Sequence, residues 1–248
     1  MTATRDAARA AAALPDVSSL HALFLDAGGV LVDPNWERVA AALRAQGVRV
    51  DAAALIAAEP AAKRALDVPY RIQTTDDRSR CGFFWELVAT HAGVQASVEQ
   101  LVAAWAELDA YHARQNLWEV PLAGVPEALA AFRARGLRLV VVSNANGTLR
   151  AKLARVGLAS FFDVILDSHE VGSEKPDRRI FELALDAAHV APGAAMHVGD
   201  LYEVDVVGAR GAGIAAVLVD PADLHGDRDC PRVRSLTELA SRLLDGDA

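Results

Sequence analysis

Five residues, set past apolar runs or in loops close after them, carry the chemistry this sequence offers. Asp26 follows HALFL, Ser143 follows LRLVVV, Lys175 lies in GSEKPD, and Asp200 and Asp205 lie in MHVGDLYEVD. Three carboxylates, one ammonium and one hydroxyl form a kit for handling a phosphoryl group beside a divalent cation. Carboxylate oxygens are hard cation ligands, an ammonium offsets the repulsion between anions, and a fixed hydroxyl donates to oxygens as charge moves. Gly28 and Gly29 after Asp26 let a backbone come close to an anion that a side chain would keep away. Each residue alone has a plainer use. Asp26 reads as a turn or capping aspartate, Ser143 and Asn144 as a loop pair before a helix, and Lys175 as a solvated lysine before a helix capped by Asp177. The set, in this order, carries the reading.

Such residues need elements to hold them. HALFLDA reads as a buried parallel strand with a loop at its carboxyl end. A mostly helical stretch follows, from about Pro34 to Trp118. It holds WERVAAALRAQG, DAAALIAAEPAAKRALD (broken at Pro60), CGFFWELVATHAG and VEQLVAAWAELDAYHARQ, with no convincing strand. Beyond it the texture changes. VPEALAAFRARG, TLRAKLARVG, RRIFELALDAAH and DVVGARGAG read as helices, alternating with the strands LRLVVVS, FFDVILDS, AAMHVGD and IAAVLVD. SLTELASRLLDG closes with one more helix. Alternation at this spacing predicts a Rossmann-like α/β core, a parallel sheet flanked by helices. The predicted organisation is a core of 19–33 and 119–248, a helical cap of 34–118, and a flexible or helical leader of 1–18. Ligands of open α/β sheets bind at the carboxyl ends of the strands. An insert leaving the chain just after Asp26 is therefore expected to act as a lid.

Composition bounds the partners. With 248 residues the chain can bury a good core, and its formal charge of −8 argues against a nucleic-acid or anionic-membrane surface. It leaves room for an anionic substrate, since one lysine and one cation reverse the field locally. Cys81 and Cys230 lie far apart and read as free thiols of a reducing cytoplasm. No apolar run reaches the roughly 18–20 residues that span a bilayer. The leader, with Arg5, Asp6 and Arg9, lacks the greasy centre of a signal peptide. Lysine is scarce, at positions 63, 152 and 175 only, which draws attention to Lys175.

DAGGVL, VVSNA, EKPD and GDLYEVD, in this order and spacing, resemble the four motifs of the haloacid dehalogenase superfamily, and the helical insert resembles that superfamily's cap. The resemblance covers nearly the whole chain from about residue 20. It implies that Asp26 attacks phosphorus and forms an aspartyl-phosphate, splitting one hard displacement into two easier ones. It implies that Ser143 and neighbouring backbone N–H groups, Asn144 and the Gly28–Gly29 loop among them, hold the phosphoryl oxygens. Lys175 would bridge Asp26 and a phosphate oxygen. The expected cofactor is Mg²⁺, held by the Asp26 carboxylate, the Gly28 carbonyl and the Asp200 carboxylate. Asp205 would complete this shell or lie just outside it. The implied activity is a phosphatase acting on a small phosphorylated metabolite, as monomer or homodimer.

One position departs from the family. Where its phosphatases carry an aspartate that protonates the leaving alcohol and later activates water, this chain has Gly28. Such acid–base help is worth about 10²–10⁴ in rate. The proton would then come from a good leaving group or from a cap residue such as His91, His112 or Glu119. Other chemistry stays open. Phosphonoacetaldehyde hydrolases have a small residue there and a cap lysine, for which Lys63 is the one candidate. 2-Haloacid dehalogenases use no metal, against the GDLYEVD pattern here. A relative that binds phosphate or metal without turnover is a third reading. Trp36, Tyr70, Arg71, Arg78, Arg80 and Trp85 are cap residues that could face a substrate.

Overall fold

A computed structural model describes residues 13–244 of the protein, so the first twelve residues of the expected leader lie outside the described residues. The chain forms two compact units, one from Met1–Val32 and Pro121–Ala248, the other from Asp33–Val120.

The first unit is built on a six-stranded sheet of order β5-β4-β1-β6-β7-β8. Its strands are β1 (Ala22–Leu25), β4 (Arg138–Ser143), β5 (Val164–Asp167), β6 (Ala195–Gly199), β7 (Ala215–Val219) and β8 (Arg232–Val233). Every pairing is parallel. β1 and β6 are buried at every position and β4 at all but its first, the continuous apolar reading of strands covered on both faces. The sheet is flanked by α6 (Val125–Ala134), α7 (Leu149–Arg155), the single turn α8 (Ser168–Val171), α9 (Arg178–Ala188), α10 (Val207–Gly211) and α11 (Leu236–Leu244). Chain order reverses about β1, whose neighbours are β4 and β6. The crevice at the carboxyl end of β1 is therefore the topological switch point, where such sheets take their ligands.

The second unit holds α1 (Trp36–Ala45), α2 (Ala52–Leu66), α3 (Pro69–Thr74), α4 (Asp77–His91) and α5 (Val98–Gln115). α1, α2, α4 and α5 pack around Trp36, Phe84 and Trp85, with Leu43, Leu55 and Leu108. Two expectations fail here. α2 runs unbroken through Pro60. Proline removes a donor, but the acceptor four residues back is the carbonyl of Ile56, a residue on the solvent side, while Leu55, Ala58, Ala62 and Leu66 anchor the buried face. Strand is also present: β2 (Val32–Pro34) pairs with β3 (Trp118–Pro121) in a two-stranded sheet. Strands this short carry no readable alternation.

Candidate active site

Asp26 is the first residue past β1, and its N–H donates to Val198 O at 2.9 Å, extending the β1–β6 ladder by one rung. The chain then turns sharply. Leu31 and Val32 both donate to Ala27 O, at 2.9 and 3.0 Å, and Gly29 donates to Val32 O at 2.9 Å. Of the glycine pair it is Gly29 that takes the left-handed φ of 67°.

Ser143 ends β4 opposite Asp167 at the end of β5. Asp167 is buried and shapes the loop after Ser143. Its Oδ2 accepts from Gly147 N at 2.9 Å and Leu149 N at 3.3 Å, and its Oδ1 accepts from His169 N at 3.0 Å. Asn144 does something the sequence reading did not foresee. Its Oδ1 accepts from Lys175 N at 2.7 Å and its Nδ2 donates to Lys175 O at 3.0 Å. The side chain clamps the backbone of Lys175, so its amide is not disposed to hold substrate directly.

Lys175, so clamped, is buried with its ammonium between two carboxylates, 2.9 Å from Asp26 Oδ1 and 2.6 Å from Asp205 Oδ1. Burial works against its charge, but Asp205 and Asp26 more than offset that and hold its pKa above the ordinary lysine value. For Asp205 burial again works against the charged form, and Lys175 with His197 outweighs it, holding the carboxyl well below the usual range. His197 of β6 is fully buried and lies with Nε2 2.9 Å from Asp205 Oδ1. Its burial depresses its pKa, with Asp205 pulling the other way. The second oxygen of Asp205 accepts from Asp200 N at 3.2 Å and Leu201 N at 3.0 Å.

A wide π-type turn at Tyr202–Val206 delivers Asp205 back beneath Asp200. The fit needs Gly199. A Cβ there would lie 2.1 Å from Asp205 Cγ, so any side chain at 199 collides with the carboxylate. Ligand oxygens of Asp26, Asp200 and Asp205 lie within 4.8 Å of one another. That is an all-oxygen donor set of the hard type Mg²⁺ takes. Asp205 fits it least well, because each of its oxygens already accepts two donors. It is a positioning group for Lys175 and for the Asp200 backbone.

The candidates of the second unit are held by their own neighbours. Glu119 accepts from Asn35 Nδ2 at 3.0 Å and from Tyr111 OH at 2.9 Å. His112 Nδ1 accepts from Leu117 N at 3.1 Å, ending α5, and His91 is exposed at the end of α4. Lys63 Nζ pairs with Glu59 at 2.6 Å, one helical turn away. Trp36 and Trp85 are core, their ring centroids 5.9 Å apart, and buried Arg80 caps Thr75 O. Arg71 lies over the ring of Phe83, while Arg78 and Tyr70 are exposed. Sequence reasoning missed Asp167, His197 and Gly199. The available signal was their place at strand ends next to the named motifs.

A parallel sheet with acids, a hydroxyl and a clamped lysine at its switch point defines an α/β hydrolase core. The chain belongs to the haloacid dehalogenase-like hydrolase family, whose model matches residues 20–213. It is 40% identical over 131 residues to haloacid dehalogenase-like hydrolase domain-containing protein 3 of Bos taurus, covering 52% of each chain. The chain thus spans about half the length of the curated relatives it matches first. It is 31% identical over 212 residues to the glyceraldehyde 3-phosphate phosphatase of Methanothermobacter thermautotrophicus, covering 85% of this chain and 90% of that one. Among solved structures, the HAD-hydrolase YfnB of Bacillus subtilis bound to magnesium shares the fold, with a TM-score of 0.65 at 17% identity, covering 91% of this chain and 99% of that one. No helix among the described residues is long and apolar enough to cross a membrane.

Proposed function

We propose that the protein is a Mg²⁺-dependent phosphatase of small phosphorylated metabolites, working through a phosphoryl group carried transiently on Asp26. The observation that carries this reading is the ammonium of Lys175, fixed between Asp26 and Asp205 at the switch point of the sheet. An anion must approach an anion here, and a buried, clamped cation at that point lowers the repulsion between them. The relative named as a glyceraldehyde 3-phosphate phosphatase, matched over most of both chains, supports a small phosphate ester as substrate.

In the first step an oxygen of Asp26 bonds to phosphorus while the bond from phosphorus to the ester oxygen breaks, its electron pair leaving with that oxygen. In the second, water bonds to phosphorus, the bond from phosphorus to Asp26 breaks, and inorganic phosphate departs. Ser143 Oγ and the N–H groups of its loop donate to the phosphoryl oxygens, and Lys175 offsets their charge. Asp26 and Asp200, with the Gly28 carbonyl, would hold the metal, which when bound supplies charge stabilisation at the phosphoryl oxygens. Gly28 has no side chain to give a proton, so the leaving oxygen takes one from solvent or departs charged. Turnover then favours acidic leaving groups.

The test is hydrolysis of aryl and alkyl phosphates of graded leaving-group pKa. Turnover should require Mg²⁺, vanish with EDTA, fall steeply from aryl to alkyl esters, and drop to background in Asp26→Asn with the fold intact by circular dichroism. Turnover retained in Asp26→Asn rules out the aspartyl-phosphate route. A flat series shows that another group donates the proton.

A further inference from the structure

Lys152 lies on the buried face of α7, between Leu149 and Leu153, and is only 3% exposed. A lysine there breaks the apolar stripe of its helix. Helical side chains lean toward the helix N-terminus. The N-terminus of α7 adjoins the loop after Ser143, which Asp167 holds through Gly147 N and Leu149 N. The lysine stem therefore runs toward the carboxyl edge of the sheet. The two acids that sustain its charge are Asp26 first and Asp167 second. Yet among the described residues its ammonium makes no ion pair within 4.0 Å and no hydrogen bond. Burial without a partner pushes its pKa down to about 8. A buried cation within the field of Asp26 and lacking an anion of its own is an arrangement that a bound anion completes.

We propose that Lys152 is a second phosphoryl-binding residue, whose ammonium receives an oxygen of the substrate's phosphate on the Ser143 side of the site. The inference rests on the phosphatase reading and deepens it. Lys175 is paired with Asp26 and Asp205, and Lys152 adds a second positive charge, without a partner of its own, for the incoming dianion.

The chain has three lysines, 63, 152 and 175, so protein labelled with ¹³C at lysine Cε gives three signals. Lys63→Arg and Lys152→Arg each assign one signal by its loss, which leaves the third to Lys175. Inorganic phosphate added to the Mg²⁺-loaded wild type should move the Lys152 signal and leave that of Lys63, in the other unit, in place. In Lys152→Met, inorganic phosphate should inhibit aryl-phosphate hydrolysis about 10-fold more weakly, and the loss should fall on KM more than on kcat. Lys152→Arg should recover part of it. A Lys152 signal indifferent to phosphate while that of Lys175 shifts overturns the proposal, even if the methionine variant does not fold. Unchanged phosphate inhibition in a folded Lys152→Met does the same. A wild type that hydrolyses no phosphate ester and shows no shift at any lysine defeats the phosphatase reading itself.

Discussion

Lys175 and Lys152 are buried alike, at 1% and 3% exposure, both feel the charge of Asp26, and they behave in opposite ways. Lys175 has two carboxylates within 3 Å and its charge is held more firmly than in water. Lys152 feels Asp26 and Asp167 without touching either, and its charge is held less firmly. Burial sets the same desolvation penalty for both, and partners decide the outcome. A lysine with partners is an immobile part of the scaffold. One without is strained toward losing its proton until something anionic arrives.

The largest test of this contrast is Lys175→Met. It leaves Asp205 buried with His197 as its remaining side-chain partner, and breaking a buried pair from one side costs about 3–5 kcal/mol. Urea denaturation at pH 7 should show that loss, and a loss under 1 kcal/mol would mean that the clamp is not structural. Gly199→Ala should cost as much as breaking the pair itself. Its methyl would meet Asp205 Cγ and force the carboxylate off Lys175, so a loss of about 3–5 kcal/mol is expected by thermal melts, and a melt like the wild type's would show that the glycine is not needed there. Lys152→Met should move stability the other way, raising it by about 3 kcal/mol at pH 7, since the pKa falls from 10.5 to about 8 and each unit is worth 1.36 kcal/mol. The folded pKa of about 8 lies below the ordinary 10.5, so the folded state binds fewer protons between them. The penalty is fully present below pH 8 and fades as pH rises toward 10.5. Wild-type stability relative to the variant should therefore climb across that window, and a constant difference would show that Lys152 is not the titrating group.

Much of this was legible from residue order. The alternation of apolar strands with amphipathic helices specifies the parallel sheet, because strands buried on both faces must read as unbroken apolar runs. Asp26, Ser143, Lys175, Asp200 and Asp205 stand out because polar groups directly after such runs fall at one sheet edge. What escaped was set by three-dimensional closure. The second role of Asn144 was hidden because nothing local reveals that its side-chain amide meets the backbone of Lys175, thirty-one residues on. Pro60 looked like a break because its missing donor is visible in sequence and the packing that tolerates it is not. β8, with two residues, exists only through its pairing with β7. Lys152 did leave a trace, a charged residue where Leu149 and Leu153 mark the inward face. A lone lysine in an alanine- and arginine-rich helix is easily passed over as solvated.

The void above Gly199, filled by the Asp205 carboxyl, ties two positions six residues apart into one heritable unit. A lineage that acquires any side chain at 199 must first shorten or lose the acid at 205, and with it the charge that settles Lys175. The reverse order is closed, because a side chain at 199 meets the acid before the acid can be lost. Drift at this corner of the sheet is thus one-way, and a glycine at 199 facing no acid at 205 would mark a descendant whose lysine has already been released.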